Sequence, residues 1–229
     1  MRTEGQFVHV LNRGVDKRKI FLDKQDYLRF IHDLYEFNDE EGVSANFYHF
    51  HQSHDIACRE IERKKRTLLV FIHAFSLMQN HYHLLLSETM EGGITKFMKK
   101  LDIGYAKYFN ARYQRKGALF EGRFKHIPIT NEKHLLHLPF YIHFNPLDAL
   151  MPEWRHRKID NAKKAIEFLE QYRWSSFQDY IGKKNFPSVT QREFLSELLG
   201  NPEEQRKEAL RWLKESEIFR DMKELSLEE

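Results

Sequence analysis

The sequence predicts an α+β layer: an antiparallel sheet with helices on one face, followed by a helical C-terminal extension. Three observations predict it. Apolar spacing changes along the chain in the order strand, helix, strand, strand, helix, strand, helix. Caps, Gly-Gly and prolines punctuate these stretches. After Pro152 the composition becomes polar and helical, with no repeat and no low-complexity tract. Ferredoxin-like and RNA-recognition-like folds share this content, and the sequence alone leaves strand order open.

The elements follow in chain order. Phe7-Val-His-Val-Leu11 is apolar and weakly alternating, a strand that Arg13-Gly14 ends. Asp23 can cap a helix over Gln25 to Phe37, because Tyr27, Phe30, Ile31, Leu34 and Tyr35 fall at helical spacing. Residues 38–66 are mixed, end in Arg63-Lys-Lys-Arg66, and read as an excursion with a short helix. Thr67 to Leu77 is β-rich and is expected to pair with a strand around His83. Gly92-Gly93 precedes a second helix, whose stripe runs Ile94, Phe97, Met98, Leu101, Tyr105, Tyr108 and Phe109. Phe124 to Ile129 is a short strand candidate, and Asn131 opens a third helix. Pro139 should kink or break that helix, or sit in the first turn of a new short one. Pro146 stops it near Asn145. We expect a catalytic domain over 1–152 and a mostly helical accessory region over 153–229.

The chain has 229 residues, 41% of them hydrophobic and 14% aromatic, enough to build a core. No apolar run reaches eighteen residues, so no membrane span is expected. The N-terminus lacks the apolar stretch of a secretory signal, and Cys58 is the only cysteine, which excludes an internal disulfide and a Cys-rich zinc site. A cytoplasmic protein is the expectation. Net charge is +3 but unevenly placed: residues 96–125 hold nine Lys/Arg against two acids, while 200–229 hold six basic against nine acidic residues. The asymmetry suggests a polyanion site in the middle and a solvated tail, although a solvated charged helix face gives the same count.

The most informative motif is His81-Tyr82-His83, followed by three leucines. Strand alternation points both imidazoles to one face and Tyr82 to the other. Two neutral imidazoles on one face can hold one divalent metal; the bland alternative is two unrelated polar residues on a wet face. Tyr141 and Asn145, four apart in Tyr141-Ile-His-Phe-Asn145, share one face of a helix. Brought beside the histidines, the Asn145 oxygen completes a set of two nitrogens and one oxygen, with positions open for phosphate oxygens and water. Such a set suits Mg²⁺ or Mn²⁺. A tyrosine hydroxyl is a poor nucleophile, since deprotonation at pH 7 costs roughly 4 kcal/mol, which a nearby cation or base offsets in part. The chemistry this suggests is attack by Tyr141 on a phosphodiester; core packing is the alternative role for that ring.

Six segments in order carry a resemblance: His9-Val-Leu-Asn-Arg-Gly14, Leu77-Met-Gln-Asn-His-Tyr-His-Leu-Leu85, Tyr108-Phe-Asn-Ala-Arg112, Gly117-Ala-Leu-Phe-Glu-Gly-Arg-Phe-Lys125, Tyr141-Ile-His-Phe-Asn-Pro146 and Trp174-Ser-Ser-Phe-Gln-Asp-Tyr180. Together they resemble the single-tyrosine transposases of the HUH (His-hydrophobic-His) endonuclease superfamily, in the group related to REP-associated tyrosine transposases. Two positions depart from the pattern: Gln79 replaces the usual proline, and Tyr82 is bulkier than the usual aliphatic. The resemblance implies a ferredoxin-like fold and metal-dependent cleavage of single-stranded, hairpin-containing DNA through a 5′-phosphotyrosine with a free 3′-hydroxyl. It implies His81, His83 and Asn145 as metal ligands and Tyr141 as nucleophile. Two other functions compete: a domesticated hairpin-binding protein that does not cut, and a replication-initiator or relaxase-type nuclease of the same superfamily.

Arg13, Arg112, Arg115, Lys116, Arg123 and Lys125 are the expected phosphate contacts, with Phe120 and Phe124 as rings on which bases could stack. Tyr105 and Tyr108 are rival nucleophiles that also fit a packing stripe. His143 falls on another helix face than Tyr141 and Asn145, and His49, His51 and His54 form an alternative metal cluster. The expected assembly is a monomer or homodimer.

Overall fold

A computed structural model describes residues 6–41, 66–156, 159 and 161–214. The alternative cluster of His49, His51 and His54 lies outside these residues, as does Cys58.

Four strands form one antiparallel sheet: β1 (Phe7–Arg13), β2 (Val70–Met78), β3 (His81–Glu88) and β4 (Lys125–Pro128), in the order β2-β3-β1-β4. With α1 (Lys24–Glu36) between β1 and β2, and α2 (Gly93–Arg112) between β3 and β4, this is the ferredoxin-like βαββαβ arrangement. The order follows from connection length. Gln79-Asn80 joins β2 to β3 as a hairpin, whereas each helical crossover skips one strand.

The side-chain period of the strands divides the core in two. Val8, Val10, Ile72, Tyr82, Leu84 and Leu86 point to the face covered by α1 and α2, where they meet Phe30, Leu34, Phe97 and Leu101. Each such buried side chain contributes about 1.5–3 kcal/mol. α1 begins where expected: Asp23 accepts hydrogen bonds from the amides of Gln25 and Asp26. Asp26 is fully buried yet satisfied. It accepts from Leu22 N (2.8 Å), Tyr108 Oη (3.0 Å), Tyr113 Oη (2.8 Å) and Arg112 Nη1 (2.6 Å).

The expected one-sided layer holds for α1 and α2; a third helix then closes the other face. α3 (Glu132–Phe144) packs against β2 and β3, and Leu85 and Ala74 meet Leu138, Ile142 and Phe144 there. α3 runs through Pro139 without a break. Proline costs about 3 kcal/mol by removing one backbone bond. Burial of Leu138, Phe140, Ile142 and Phe144, at about 1.5–3 kcal/mol each, exceeds that. The helix ends at Asn145, where a 3-10 turn (Asn145–Ala149) with Pro146 in its first positions takes over.

The C-terminal extension is helical as expected: α4 (Ala162–Gln171), α5 (Phe177–Tyr180), α6 (Glu193–Leu199) and α7 (Pro202–Lys214). It shares the second core through Ile166, Leu169, Phe177, Leu195 and Trp212. It also covers the β2 edge. Leu77 N donates to Trp174 O, Ser176 N to Phe75 O, and Gln191 N to Ile72 O. The opposite edge, β4, is short and bears Lys125 and Pro128, which discourage further pairing.

His73 sits at the register shift in β2, buried, with Nε2 2.8 Å from Ser87 Oγ. Burial holds its imidazole down to about 4, so the fold requires the neutral ring. The unfolded chain takes up this proton near pH 6.5; the folded chain does so only near 4. Stability from this group is therefore complete above about pH 6.5 and is lost as pH falls toward 4, by about 3 kcal/mol. Urea unfolding of His73→Gln at pH 7.5 and pH 4 should show a smaller acid loss than the parent; an equal loss would contradict this.

Candidate active site

His81 and His83 project from β3 toward α3, while Tyr82 between them points to the opposite face. There the Tyr82 hydroxyl donates to Asp102 of α2 at 2.5 Å, and Asn12 Nδ2 donates to the same carboxylate at 2.9 Å. Burial pushes the Asp102 carboxyl up to about 6 and the Tyr82 phenol higher than usual. The bulky aromatic at the hydrophobic position is thus an anchor. It pins the histidine strand to α2 from behind.

The loop after β1 fixes the His81 ring. Gly14 N donates to Asn80 O, and a Cβ at Gly14 would collide with the Arg18 carbonyl. Asp16 and Lys17 both take left-handed backbone angles, with φ of 55°. This turns Lys17 O to accept from Asn80 Nδ2 at 3.2 Å, which settles the orientation of that carboxamide. Asn80 Oδ1 then faces His81 Nδ1 at 2.7 Å. A carboxamide oxygen only accepts, so Nδ1 is the donor and Nε2 is the ring nitrogen turned away from this bond. Holding one ring nitrogen in this way is how proteins orient metal-ligating histidines.

His83 has a different partner. His9 of β1, fully buried, places Nε2 2.8 Å from His83 Nδ1, and the two rings stack at 5.0 Å between centroids. The Tyr141 ring stands edge-on to both, 6.0 Å from each. Tyr141 and Asn145 lie one helical turn apart at the end of α3, and the Tyr141 ring looks onto His9 and His83. Asn145, fully buried, donates from Nδ2 to Tyr141 O at 2.9 Å, which fixes the orientation of its carboxamide.

Arg155 joins these groups. It lies in a 3-10 turn (Pro152–His156) beyond the expected domain boundary. Its Nη1 donates to Tyr141 Oη at 2.9 Å and its Nη2 to Asn145 Oδ1 at 2.6 Å. Asp148 anchors the guanidinium by accepting from Nε at 2.9 Å and from Nη2 at 2.7 Å, and it also accepts from Trp154 Nε1 at 2.6 Å. Sequence reasoning assigned no role to His9, Asn80, Asp148 or Arg155. His9 was visible in principle, because His9, Leu11 and Arg13 alternate onto the site face.

Of the expected DNA contacts, three gather beside the histidines. Arg13 pairs with His81 across the strands, and Lys125 pairs with Leu11, which pairs with His83. Arg13, Arg123 and Lys125 line a cleft of about 220 Å³ with Asn12, Glu121 and Gly122. Within it Arg13 Nε has no hydrogen-bond partner among the described residues. Lys116 is exposed, and Arg115 lies against Phe109 with a 3.3 Å bond to Asn110. Arg112 is a correction: its guanidinium is paired with Asp23 at 2.6 Å and with buried Asp26 at 2.6 Å, so it serves the α1–α2 contact. Phe120 is another: it is buried in the first core and offers no surface to a base, whereas Phe124 is only partly buried. Arg66, at the end of the basic run, donates to Asn38 O.

The rival tyrosines are structural. Tyr105 Oη donates to Ile20 O at 2.6 Å, and Tyr108, pushed up to about 12 mainly by burial, donates to Asp26. His143 faces away from the site, 2.8 Å from Ser176 Oγ, and burial holds it down to about 3.

By donor chemistry, two imidazoles on one strand face and a carboxamide oxygen suit a divalent ion; Asn145 Oδ1 is buried and already accepts from Arg155, with a second lone pair left by its chemistry. Among the described residues no group of three or more His, Cys, Asp or Glu side chains is placed to hold a metal. The fit therefore depends on Asn145.

The ferredoxin-like sheet thus carries two histidines on one face, and the Tyr141 ring of α3 stands edge-on to one of them, His83. Residues 49–145 match the family model described as transposase, IS200 like. Over that segment the chain resembles the IS200-like transposases, and the segment contains His81, His83 and Tyr141 and ends on Asn145. A solved REP-associated tyrosine transposase bound to a REP hairpin is similar at 13% identity, with 82% of this chain and 87% of that one covered and a TM-score of 0.45. No curated protein matches the chain. Among the described residues no helix is long and apolar enough to cross a membrane.

Proposed function

We propose that the protein is a DNA transposase acting as a single-strand endonuclease and strand transferase on hairpin-containing DNA. One observation supports this reading: the Tyr141 ring stands edge-on to His83, with Asn145 bonded to Tyr141 one turn on, within the segment that matches the family. Tyr141 Oη forms a bond to the phosphorus of a phosphodiester, and the bond from phosphorus to the 3′ oxygen breaks. The phenolic proton is balanced by the proton taken up on the departing 3′-hydroxyl. The product is a 5′-phosphotyrosine, a diester that a later 3′-hydroxyl can attack in strand transfer.

His81 and His83 through Nε2 and Asn145 through Oδ1 would hold Mg²⁺ or Mn²⁺. Such an ion would supply Lewis-acid polarisation of the phosphate. The tautomer in which His83 Nδ1–H donates to His9 Nε2 would leave Nε2 of His83 for that role, as the Asn80 contact would for His81. Residues 1–152 form the catalytic unit in this reading. Among the described residues beyond 152, the helices α4 to α7 share the core on the α3 side of the sheet, and the turn Pro152–His156 brings Arg155 to Tyr141. Incubation with a pool of hairpin-containing single-stranded DNAs should yield a covalent protein–DNA adduct that survives denaturation. Hairpin binding with no adduct, metal being present, would favour a non-cleaving DNA-binding protein.

The cleft of Arg13, Arg123 and Lys125 is the proposed path of the DNA backbone beside the site, continued by Arg115 and Lys116. Each lost phosphate contact lowers the slope of log affinity against log salt by roughly 0.7 for a single strand. Replacing the three cleft cations with alanine should therefore flatten the slope by about two. An unchanged slope in a folded triple variant would place the backbone elsewhere.

A further inference from the structure

We infer that Arg155 is a catalytic residue, the cation that holds the nucleophile and its neighbouring metal donor in one geometry; this rests on the reading of Tyr141 as nucleophile. The guanidinium is planar and presents its donors as a rigid fork. Here one prong meets Tyr141 Oη at 2.9 Å and the other Asn145 Oδ1 at 2.6 Å. The remaining edge is clamped by Asp148, and the Trp154 ring lies 4.8 Å from the guanidinium carbon. A surface arginine has none of these restraints. The arrangement makes the C-terminal extension part of the active site.

The chemical consequence follows from where charge develops. As Tyr141 Oη transfers its proton and attacks phosphorus, negative charge appears first on that oxygen and then on the phosphoryl oxygens. An N–H donor already aimed at Oη favours the ionised oxygen and needs no reorganisation at the moment of reaction. The Tyr141 proton remains available for transfer, because Arg155 donates to the oxygen and takes nothing from it.

The test uses the full chain, hairpin-containing single-stranded DNA and Mn²⁺. Arg155→Ala should bind the DNA as the parent does, by fluorescence anisotropy, and should lower the single-turnover rate of adduct formation on the order of 10²-fold. Guanidinium ion added at millimolar concentration should restore part of that rate in Arg155→Ala and none in Tyr141→Phe. Adduct formation at the parental rate in a folded Arg155→Ala protein would overturn the inference. So would a loss of rate that guanidinium does not relieve, because that is a structural defect. Should Arg155→Ala fail to fold, Arg155→Lys keeps the charge against Asp148 but loses the fork, and a parental rate in that variant would equally overturn it. If Tyr141→Phe still forms the adduct, the nucleophile assignment fails, whatever Arg155 does.

Discussion

Tyr141→Phe should bind hairpin DNA like the parent and form no covalent adduct. The substitution removes one oxygen and leaves the ring, whose edge-on contacts with His9 and His83 and contact with Trp154 are made by carbon atoms. Arg155, which donates to Oη, keeps Asp148 and Asn145 as partners. The variant should therefore fold, and the loss of chemistry can be read without ambiguity. Gel analysis under denaturing conditions measures it directly. An adduct at the parental level would transfer the nucleophile to another residue. Neither Tyr105 nor Tyr108 is placed to take over: both are tied into the contact of α1 with α2, on the opposite side of the sheet from the histidines.

His81→Ala or His83→Ala should lower cleavage on the order of 10²-fold or more. Each removes one of three proposed protein donors, and loss of metal-derived charge stabilisation worth about 3 kcal/mol corresponds to that factor. The two variants are not equivalent in the structure. His81 is nearer the loop and held by Asn80, so its removal leaves the core intact. His83 is fully buried and paired with His9, so its removal also leaves a buried imidazole without its partner and should cost stability. Metal titration followed by Mn²⁺ electron paramagnetic resonance separates the two effects. Excess chelator should stop cleavage by the parent protein, and full cleavage in chelator would rule out the metal-assisted route.

Local signals were the legible part of this chain. Asp23 caps α1 and Asn131 caps α3, each by accepting backbone hydrogen bonds within three residues, so the information is contiguous. The face shared by His81 and His83 follows from strand alternation, and the pairing of Tyr141 with Asn145 follows from one helical turn. What the sequence concealed is non-local. Arg112 counted as a free cation because its acids, Asp23 and Asp26, stand more than eighty residues earlier. Phe120 looked like a stacking ring because nothing near it in sequence shows that Tyr82 and Tyr105 bury it. Arg155 was hidden in a polar stretch after Pro152, where only tertiary packing brings it to Tyr141. The second helical layer escaped for the same reason: α3 reads as one more helix, and its face becomes clear only when Leu85 and Ala74 are seen beneath it.

The most direct measurement is the identity of the residue that carries DNA. The parent protein, incubated with hairpin-containing single-stranded DNA and Mn²⁺, would be denatured and digested with nuclease and protease, and the modified peptide sequenced by mass spectrometry. The phosphodiester remnant should lie on Tyr141. A remnant on Tyr105, Tyr108 or any other side chain would contradict the account, as would a cleaved DNA with no modified peptide.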